Sequence, residues 1–392
     1  MTHPTEDTAI RAALESLTRH GLAGMGEAVQ ILLNEAMKIE RAEFLQAAPY
    51  QRTDHRRGHA NGFKDKTVQT RVGTLALQVP QVRDTPPEVG GFYPQSLEKG
   101  LRSERALKLA IAEMYVTGVS TRKVAQITQE LCGFEVTSTQ VSRAAQSLDE
   151  ELEAWRIRPV GDVPYLVLDA RYEKVRHGGA VVDVALLVAV GVQANGKRSI
   201  LGVSVSLSEA EVHWRTFLSS LVDRGLHGMK LIVSDDHAGL GQARQALVPS
   251  VPWQRCQCHL QRNAQAYVPK VAMRAEVAQA IRDIFNAPNR AEADRMLQVL
   301  IERYHKTAPA LVEWAEGNIP QGLTVFDRPQ AHRLRLRTTN GLERLNREIK
   351  RRTRVASLFP NEASLLRLAS AILVEIDEEW QTGKIYLNMK SE

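Results

Sequence analysis

The sequence predicts an α/β protein with a mixed-sheet core, an all-helical insertion inside that core, and helical and helix-turn-helix regions ahead of it. Three observations carry this. From residue 165 onward, apolar runs of strand character recur, and two of them end in an acid: Tyr165-Leu-Val-Leu-Asp169 and Leu231-Ile-Val-Ser-Asp235. Residues 259–335 lose that character and place Val277, Ile281, Ile284, Phe285, Met296, Leu297, Leu300 and Ile301 at helical spacing. Residues 104–148 break into three short helical stretches at glycines.

Taken in order, residues 1–48 read as helices, with Leu14, Leu17, Val29, Leu32, Leu33, Met37, Ile39 and Phe44 supplying apolar faces. Residues 50–66 crowd Arg52, His55, Arg56, Arg57, His59, Lys64 and Lys66 around Gly58 and Gly62. Strand-like runs at 67–72 and 74–82, joined at Gly73, form a hairpin beside this basic loop, an arrangement suited to a phosphate backbone. Residues 84–94, rich in proline and glycine, read as a linker. A helix carrying Leu107, Leu109, Ala110, Ala112, Met114 and Tyr115 ends at Gly118. Ser120 caps a second helix, with Val124, Ile127 and Leu131 on one face, which ends at Gly133. Ser138-Thr-Gln-Val-Ser-Arg143 opens a third, and in a helix-turn-helix it is the recognition helix, offering Ser138, Gln140 and Arg143 to DNA.

Beyond Pro159 come strands at 165–169, which residues 171–176 continue or bend, at 181–192 and at 199–207, with an Asn195-Gly196 turn before the last. An amphipathic helix at 209–224, a strand at 231–235, a helix at 238–247 and a short strand at 253–256 follow. A three-strand meander, then helix, strand, helix, strand is the order of a ribonuclease-H-like fold. The predicted organisation is an N-terminal helical and basic-hairpin region (1–100), a helix-turn-helix domain (101–158), a first part of the core (159–259), the helical insertion (260–335) and a second part of the core (336–392).

That second part opens with Thr338-Thr-Asn-Gly-Leu-Glu343 and continues as a strongly basic helix. Asn340 suits the N-cap and Glu343 the third position of a capping box. Leu342, Leu345 and Ile349 make a narrow apolar stripe, and another face carries Glu343, Asn346, Arg347, Lys350 and Arg354. Asp169 and Asp235 at the ends of neighbouring strands, with Glu343 on a helix covering the sheet, make a carboxylate set for two Mg²⁺ ions roughly 3.5–4 Å apart, with Mn²⁺ as a substitute. Strand alternation separates Asp235 from its neighbour Asp236 and favours Asp235 as the ligand. His237, Cys256 and His259 lie near the site, and His259 with Arg255 and Arg262 suits phosphate contact. Cys256, Cys258 and His259 alone leave a zinc site incomplete.

Net charge is +6, which fits a polyanionic partner, and three cysteines make no disulfide framework. The longest apolar run, 184–192, is too short to span a bilayer, and the N-terminal residues lack the apolar core of a signal peptide. A cytoplasmic location is expected, nucleoid-associated when bound to DNA.

Tyr165-Leu-Val-Leu-Asp-Ala-Arg-Tyr-Glu-Lys-Val-Arg176, Ser234-Asp-Asp-His-Ala-Gly-Leu240, Trp253-Gln-Arg-Cys-Gln-Cys-His259 and Thr338-Thr-Asn-Gly-Leu-Glu-Arg-Leu-Asn346 resemble the Mutator-type transposases of bacterial insertion sequences. The resemblance extends to Arg71-Val-Gly-Thr-Leu75, Gly118-Val-Ser-Thr-Arg-Lys-Val124, Arg351-Arg-Thr-Arg-Val355 and Phe359-Pro-Asn-Glu-Ala363. It implies a DDE recombinase whose triad is Asp169, Asp235 and Glu343, with Cys256 and His259 at the family's Cys-x-x-His feature. It further implies double-stranded DNA partners, the terminal inverted repeats of its own element and a target, handled by a homodimer with no membrane association. Asp236 stands where the family has a small residue, and Arg333 follows His332 where the family has an aromatic, with Trp314 as a substitute. The alternatives are a DNA-binding regulator or a structure-specific nuclease on the same fold. Acids facing phosphate weigh against the first, and inverted repeats flanking the gene separate the second.

Overall fold

The computed structural model describes residues 4–100, 102–356 and 358–391; the side chains of residues 4–7, 343, 344, 355, 356 and 391 lie outside the description. The chain divides into two compact units, Met1–Ser147 and Leu148–Glu392.

In the first unit, helices α1 (Pro4–His20) and α2 (Met25–Leu45) precede a hairpin of β1 (His59–Thr70) and β2 (Gly73–Arg83). Met37 of α2 packs with Val68, Leu75, Leu77 and Val79 of the hairpin. Gln30 and Asn34 accept from the backbone N–H groups of Ala76 and Gln78, at 2.8 and 2.9 Å, so α2 covers the edge of β2. β1 begins at His59, so part of the basic stretch is itself strand, with a bulge between Ala60 and Phe63.

Three short helices complete the unit: α3 (Arg105–Val116), α4 (Thr121–Cys132) and α5 (Ser138–Ala145). Their punctuation follows the sequence. Ser120 accepts from the Lys123 N–H at 3.2 Å, and Gly118 and Gly133 take positive φ of 97° and 72°, where a side chain would be strained. Leu107, Ile111, Val124, Val141 and Ala145 form the buried centre.

The second unit begins with α6 (Asp149–Arg156), whose Asp149 pairs with Arg367 at 2.6 Å. Its sheet has five strands in the order β5-β4-β3-β6-β7: β3 (Tyr165–His177), β4 (Ala180–Val192), β5 (Arg198–Ser206), β6 (Leu231–Ser234) and β7 (Trp253–Arg255). β3, β4 and β5 are antiparallel neighbours, β6 runs parallel to β3, and β7 runs parallel to β6. Between β5 and β7 lie α7 (Glu211–Asp223) and α8 (Ala238–Leu247).

Alternation sorts the strand residues. Leu166, Leu168 and Ile232 face one core with Trp214, Phe217 and Leu221 of α7 and Leu240 of α8. Tyr165, Leu231 and Val233 face the other. That second core continues without a break into α9 (Gln257–Ala264), α10 (Arg274–Phe285), α11 (Arg290–Tyr304), α12 (Pro309–Asn318) and α13 (Gln330–Leu336), through Leu260, Ile281, Leu300, Leu311 and Leu336. The helical stretch therefore covers one face of the sheet. Gln254, fully buried in β7, fastens the two, donating to Gly322 O at 2.8 Å and accepting from Val325 N at 2.7 Å.

The chain closes with α14 (Asn340–Ala356) and α15 (Glu362–Thr382). In α15, Asp377 is buried and accepts from Ser199 Oγ and Ile200 N of β5, at 3.0 and 2.8 Å, while pairing with Arg158 at 2.7 Å.

Candidate active site

The parallel pair β3–β6 sets the geometry. Tyr165, Leu166 and Val167 stand opposite Leu231, Ile232 and Val233. Extending that register by two residues puts Asp235 opposite Asp169, across one inter-strand spacing of about 4.8 Å. Both acids share the parity of Tyr165 and Leu231 and so face the side covered by the helical stretch. Asp169 is buried, at 8% exposure. Its carboxyl is pushed up to about 7, first by burial and then by the charge of Asp235. Asp235 is also raised, mainly by burial, while His259 and His237 oppose the shift.

Asp236 is held elsewhere. Its carboxylate pairs with Arg255 at 2.9 Å, and the same guanidinium donates to Asn318 Oδ1 and Gln321 Oε1 at 2.6 and 3.1 Å. Arg255 is 4% exposed, so its role is to tie Asp236 and the insertion to the end of β7 rather than to meet phosphate, as expected from the sequence. This leaves Asp235 as the acid of the pair that faces Asp169.

Glu343 lies in the first turns of α14 by its backbone, but its side chain falls outside the described residues. α14 begins at Asn340, and buried Thr339 precedes it. Thr339 donates from its N–H and Oγ1 to the Cys256 sulfur at 3.3 and 3.4 Å. Cys256 thus fixes the start of the helix that bears Glu343. Its thiol is held well below the ordinary range, chiefly by a hydrogen bond from Cys258, and hydrogen bonds from His259 and Thr339 add to this. The bond to Cys256 in turn raises His259. Cys258 donates to Asn340 Oδ1 at 3.3 Å.

Further along α14, Leu342, Leu345 and Ile349 are buried, as their spacing predicts. Arg347, Lys350 and Arg354 are exposed. Glu348 takes Arg351 and Arg352 at 2.7 and 3.0 Å, which leaves the basic face to those three. Arg262 of α9 is also exposed.

Two residues beside the acids were missed in the sequence because nothing local marks them. Asn346 donates from Nδ2 to Asp169 Oδ2 at 2.7 Å. Glu209 lies 3.9 Å from His237 Nδ1, and its carboxyl is raised first by burial, with a contribution from Asp235. Gly239 makes that approach possible: a Cβ there would stand 2.2 Å from Glu209 O. His332 is buried, accepting at Nδ1 from Tyr165 Oη and donating from Nε2 to Asn388 O, both 2.9 Å, which is a structural lock. Trp314 is buried under the exposed ring of Tyr267, with centroids 5.6 Å apart.

The sequence-predicted DNA contacts of the first unit are placed as follows. Arg143, Ser138 and Arg57 are exposed. Gln140 spends its side-chain oxygen on the Thr137 N–H at 2.7 Å, completing a capping box. Arg56 braces its own loop, donating to Gly58 O and Gln51 O at 2.9 and 2.7 Å.

A sheet carrying one buried and one half-buried acid in register, with a basic helix bonded to the first, is the setting in which comparison with known proteins becomes informative. The sequence model described as "Transposase, Mutator family" matches residues 2–383, and the chain belongs to that family. It is 59% identical over 385 residues to the transposase for insertion sequence element IS406 of Burkholderia multivorans, covering 98% of each chain. It is 41% identical over 386 residues to the transposase for insertion sequence element ISRM5 of Rhizobium meliloti, covering 98% of this chain and 96% of the relative. It is 36% identical over 366 residues to the transposase for insertion sequence element IS256 in transposon Tn4001 of Staphylococcus aureus, covering 91% of each. The chain is therefore a transposase. Among the described residues, no helix is long and apolar enough to cross a membrane.

Proposed function

We propose that this transposase binds the terminal inverted repeats of its own insertion sequence and carries out metal-dependent strand cleavage and strand transfer at Asp169, Asp235 and Glu343. The observation that carries this reading is the in-register placement of buried Asp169 and partly buried Asp235, with burial raising both carboxyls and the charge of Asp235 raising Asp169 further. Two carboxylates that burial drives toward protonation call for a cation. The strand order, with three antiparallel strands and two more added parallel to the first, agrees with a ribonuclease-H-like core.

Mg²⁺, or Mn²⁺ in its place, fits the donor set, since carboxylate oxygens suit hard cations. Among the described residues no group of three His, Cys, Asp or Glu converges as a metal site, and the third ligand of this reading is Glu343, whose side chain is outside them. Asn346 Oδ1 and His259 Nδ1 are buried atoms with no hydrogen bond among the described residues, which leaves polar groups beside the acids free to meet an occupant. When bound, the ions supply activation of the attacking oxygen and stabilisation of the leaving 3′-oxygen. Asp169 and Asp235 would hold the ions from the sheet, and Glu343 would complete the set from α14. Arg347, Lys350 and Arg354 bind the DNA backbone alongside, and Arg262 adds to that surface. In the first unit, Arg143 and Ser138 read the repeat and Arg57 contacts phosphate. Pairing two element ends calls for a homodimer, acting in the cytoplasm on the nucleoid.

The test is cleavage of duplexes bearing the repeats that flank the reading frame, with and without Mg²⁺. Glu343→Gln is expected to lose cleavage by orders of magnitude while keeping its melting curve and gel shift. Gln also suits a capping box, so a residue that merely caps the helix would leave activity near wild type. Substantial cleavage by Glu343→Gln removes it from the site.

A further inference from the structure

Asp169 is the first of three alternating β3 side chains that meet α14. Asn346 Nδ2 donates to Asp169 Oδ2 at 2.7 Å. Arg171 donates to the Asn346 carbonyl and pairs with Glu173 at 2.6 Å. Glu173 accepts from Thr353 Oγ1 at 3.1 Å. Positions 346 and 353 are two helical turns apart, about 10.5 Å, and 169 to 173 spans about 13 Å of strand, so helix and strand run alongside each other. Arg171 and Thr353 tie the helix to β3 by its backbone and at its far end. The Asn346 side chain does something else. It bonds the carboxylate itself, and its own Oδ1 is buried with no donor among the described residues. Backbone position 343 lies one turn upstream on the same helix.

We infer that Asn346 is a positioning residue of the active site: its amide fixes the orientation of the Asp169 carboxylate for the metal and sets the register between Asp169 and the helix bearing Glu343. The inference rests on the proposed metal-dependent site. Removing an amide that orients a ligand typically costs about 10–100-fold in metal affinity. A contact that only docks the helix costs stability and leaves that affinity alone.

The experiment uses the full chain. Titration calorimetry with Mn²⁺ alone measures metal affinity, and Mg²⁺ titration of cleavage separates half-saturation from the rate at saturation. Asn346→Ala is expected to bind Mn²⁺ about 10–100-fold more weakly. Its Mg²⁺ half-saturation rises by the same factor, the rate at saturation stays within a few-fold of wild type, and the gel shift is unchanged. Thr353→Val is expected to melt at lower temperature with unchanged Mn²⁺ affinity. Wild-type Mn²⁺ affinity in Asn346→Ala, or an equal loss in Thr353→Val, overturns the inference. If Asn346→Ala does not melt cooperatively, Asn346→Ser is read by the same criteria. Asp169→Asn keeps the two claims apart: cleavage by that variant defeats the catalytic reading, whereas an inactive Asp169→Asn beside an indifferent Asn346→Ala defeats only the role of Asn346.

Discussion

Asp169 is buried and held by a side chain 177 residues away, whereas Arg143 stands exposed on a helix whose capping box closes between Thr137 and Gln140. The two regions face opposite physical problems. On the proposed reading, Asp169 would bind a cation from a site taken out of water, and so depends on distant parts of the chain to hold it. Arg143, proposed to meet DNA, stays solvated until it binds, and a short helix with a local cap suffices to present it. Sensitivity to substitution follows: in the second unit it concentrates on a few buried atoms, and in the first it spreads over exposed ones.

The sharpest way to break this contrast lies within one dipeptide. Asp235→Asn is expected to abolish cleavage by orders of magnitude with end binding kept. Asp236→Asn is expected to retain most activity, because Arg255 keeps Asn318 and Gln321 as acceptors. Equal loss in both, measured on end-bearing duplexes, would mean that the Arg255 pair belongs to the chemistry. A smaller effect is expected in the first unit. Arg143→Ala should weaken binding to the element's ends by about 1–3 kcal/mol if it reads a base edge, and less on random DNA. A gel shift showing equal loss on both would make it a phosphate contact.

A last effect concerns stability. Asp169 titrates near 7 in the fold against an ordinary value of 3.8. The folded chain therefore holds a proton that the unfolded chain has released, and stability falls as pH rises from about 4 to about 7. Asp169→Asn removes that penalty. In EDTA at pH 8 the variant should melt above wild type, by roughly 2–4 °C for each kcal/mol recovered. The gap should close below about pH 4, where Asp169 is protonated in both states. A pH-independent gap would place its origin in packing.

Much of the fold was legible because its signals are local. The apolar runs at 165–169 and 231–235, the Asn195-Gly196 turn, and the glycines at 118 and 133 each announce a structure within a few residues, although Asp169, expected at a strand end, lies mid-strand because β3 stays paired with β4 as far as His177. That Asp235 and Asp236 point different ways was also legible, since alternation needs only the strand. What the sequence hid was pairing at a distance. Nothing near Cys256 says that its sulfur accepts from Thr339, 83 residues on, and nothing near Arg255 says that it is buried against Asn318. Asn346 stood among charged and amide residues of a basic helix, and only the sheet brought against it distinguishes it from Arg347.

The continuous core that joins Tyr165 and Leu231 to Ile281 and Leu300 bears on how this protein can be taken apart. Interruptions in a chain are often read as accessories that a minimal version could shed. Here the interruption is one wall of the room. Excising residues 260–335 and splicing the ends would strip the sheet face beneath the two acids and leave Gln254 without Gly322 and Val325. A catalytic fragment reduced to strands and acids would expose that face to water, so shortened versions of this transposase should precipitate before they can be assayed. Length changes are better accommodated at the solvent-facing turns between its helices.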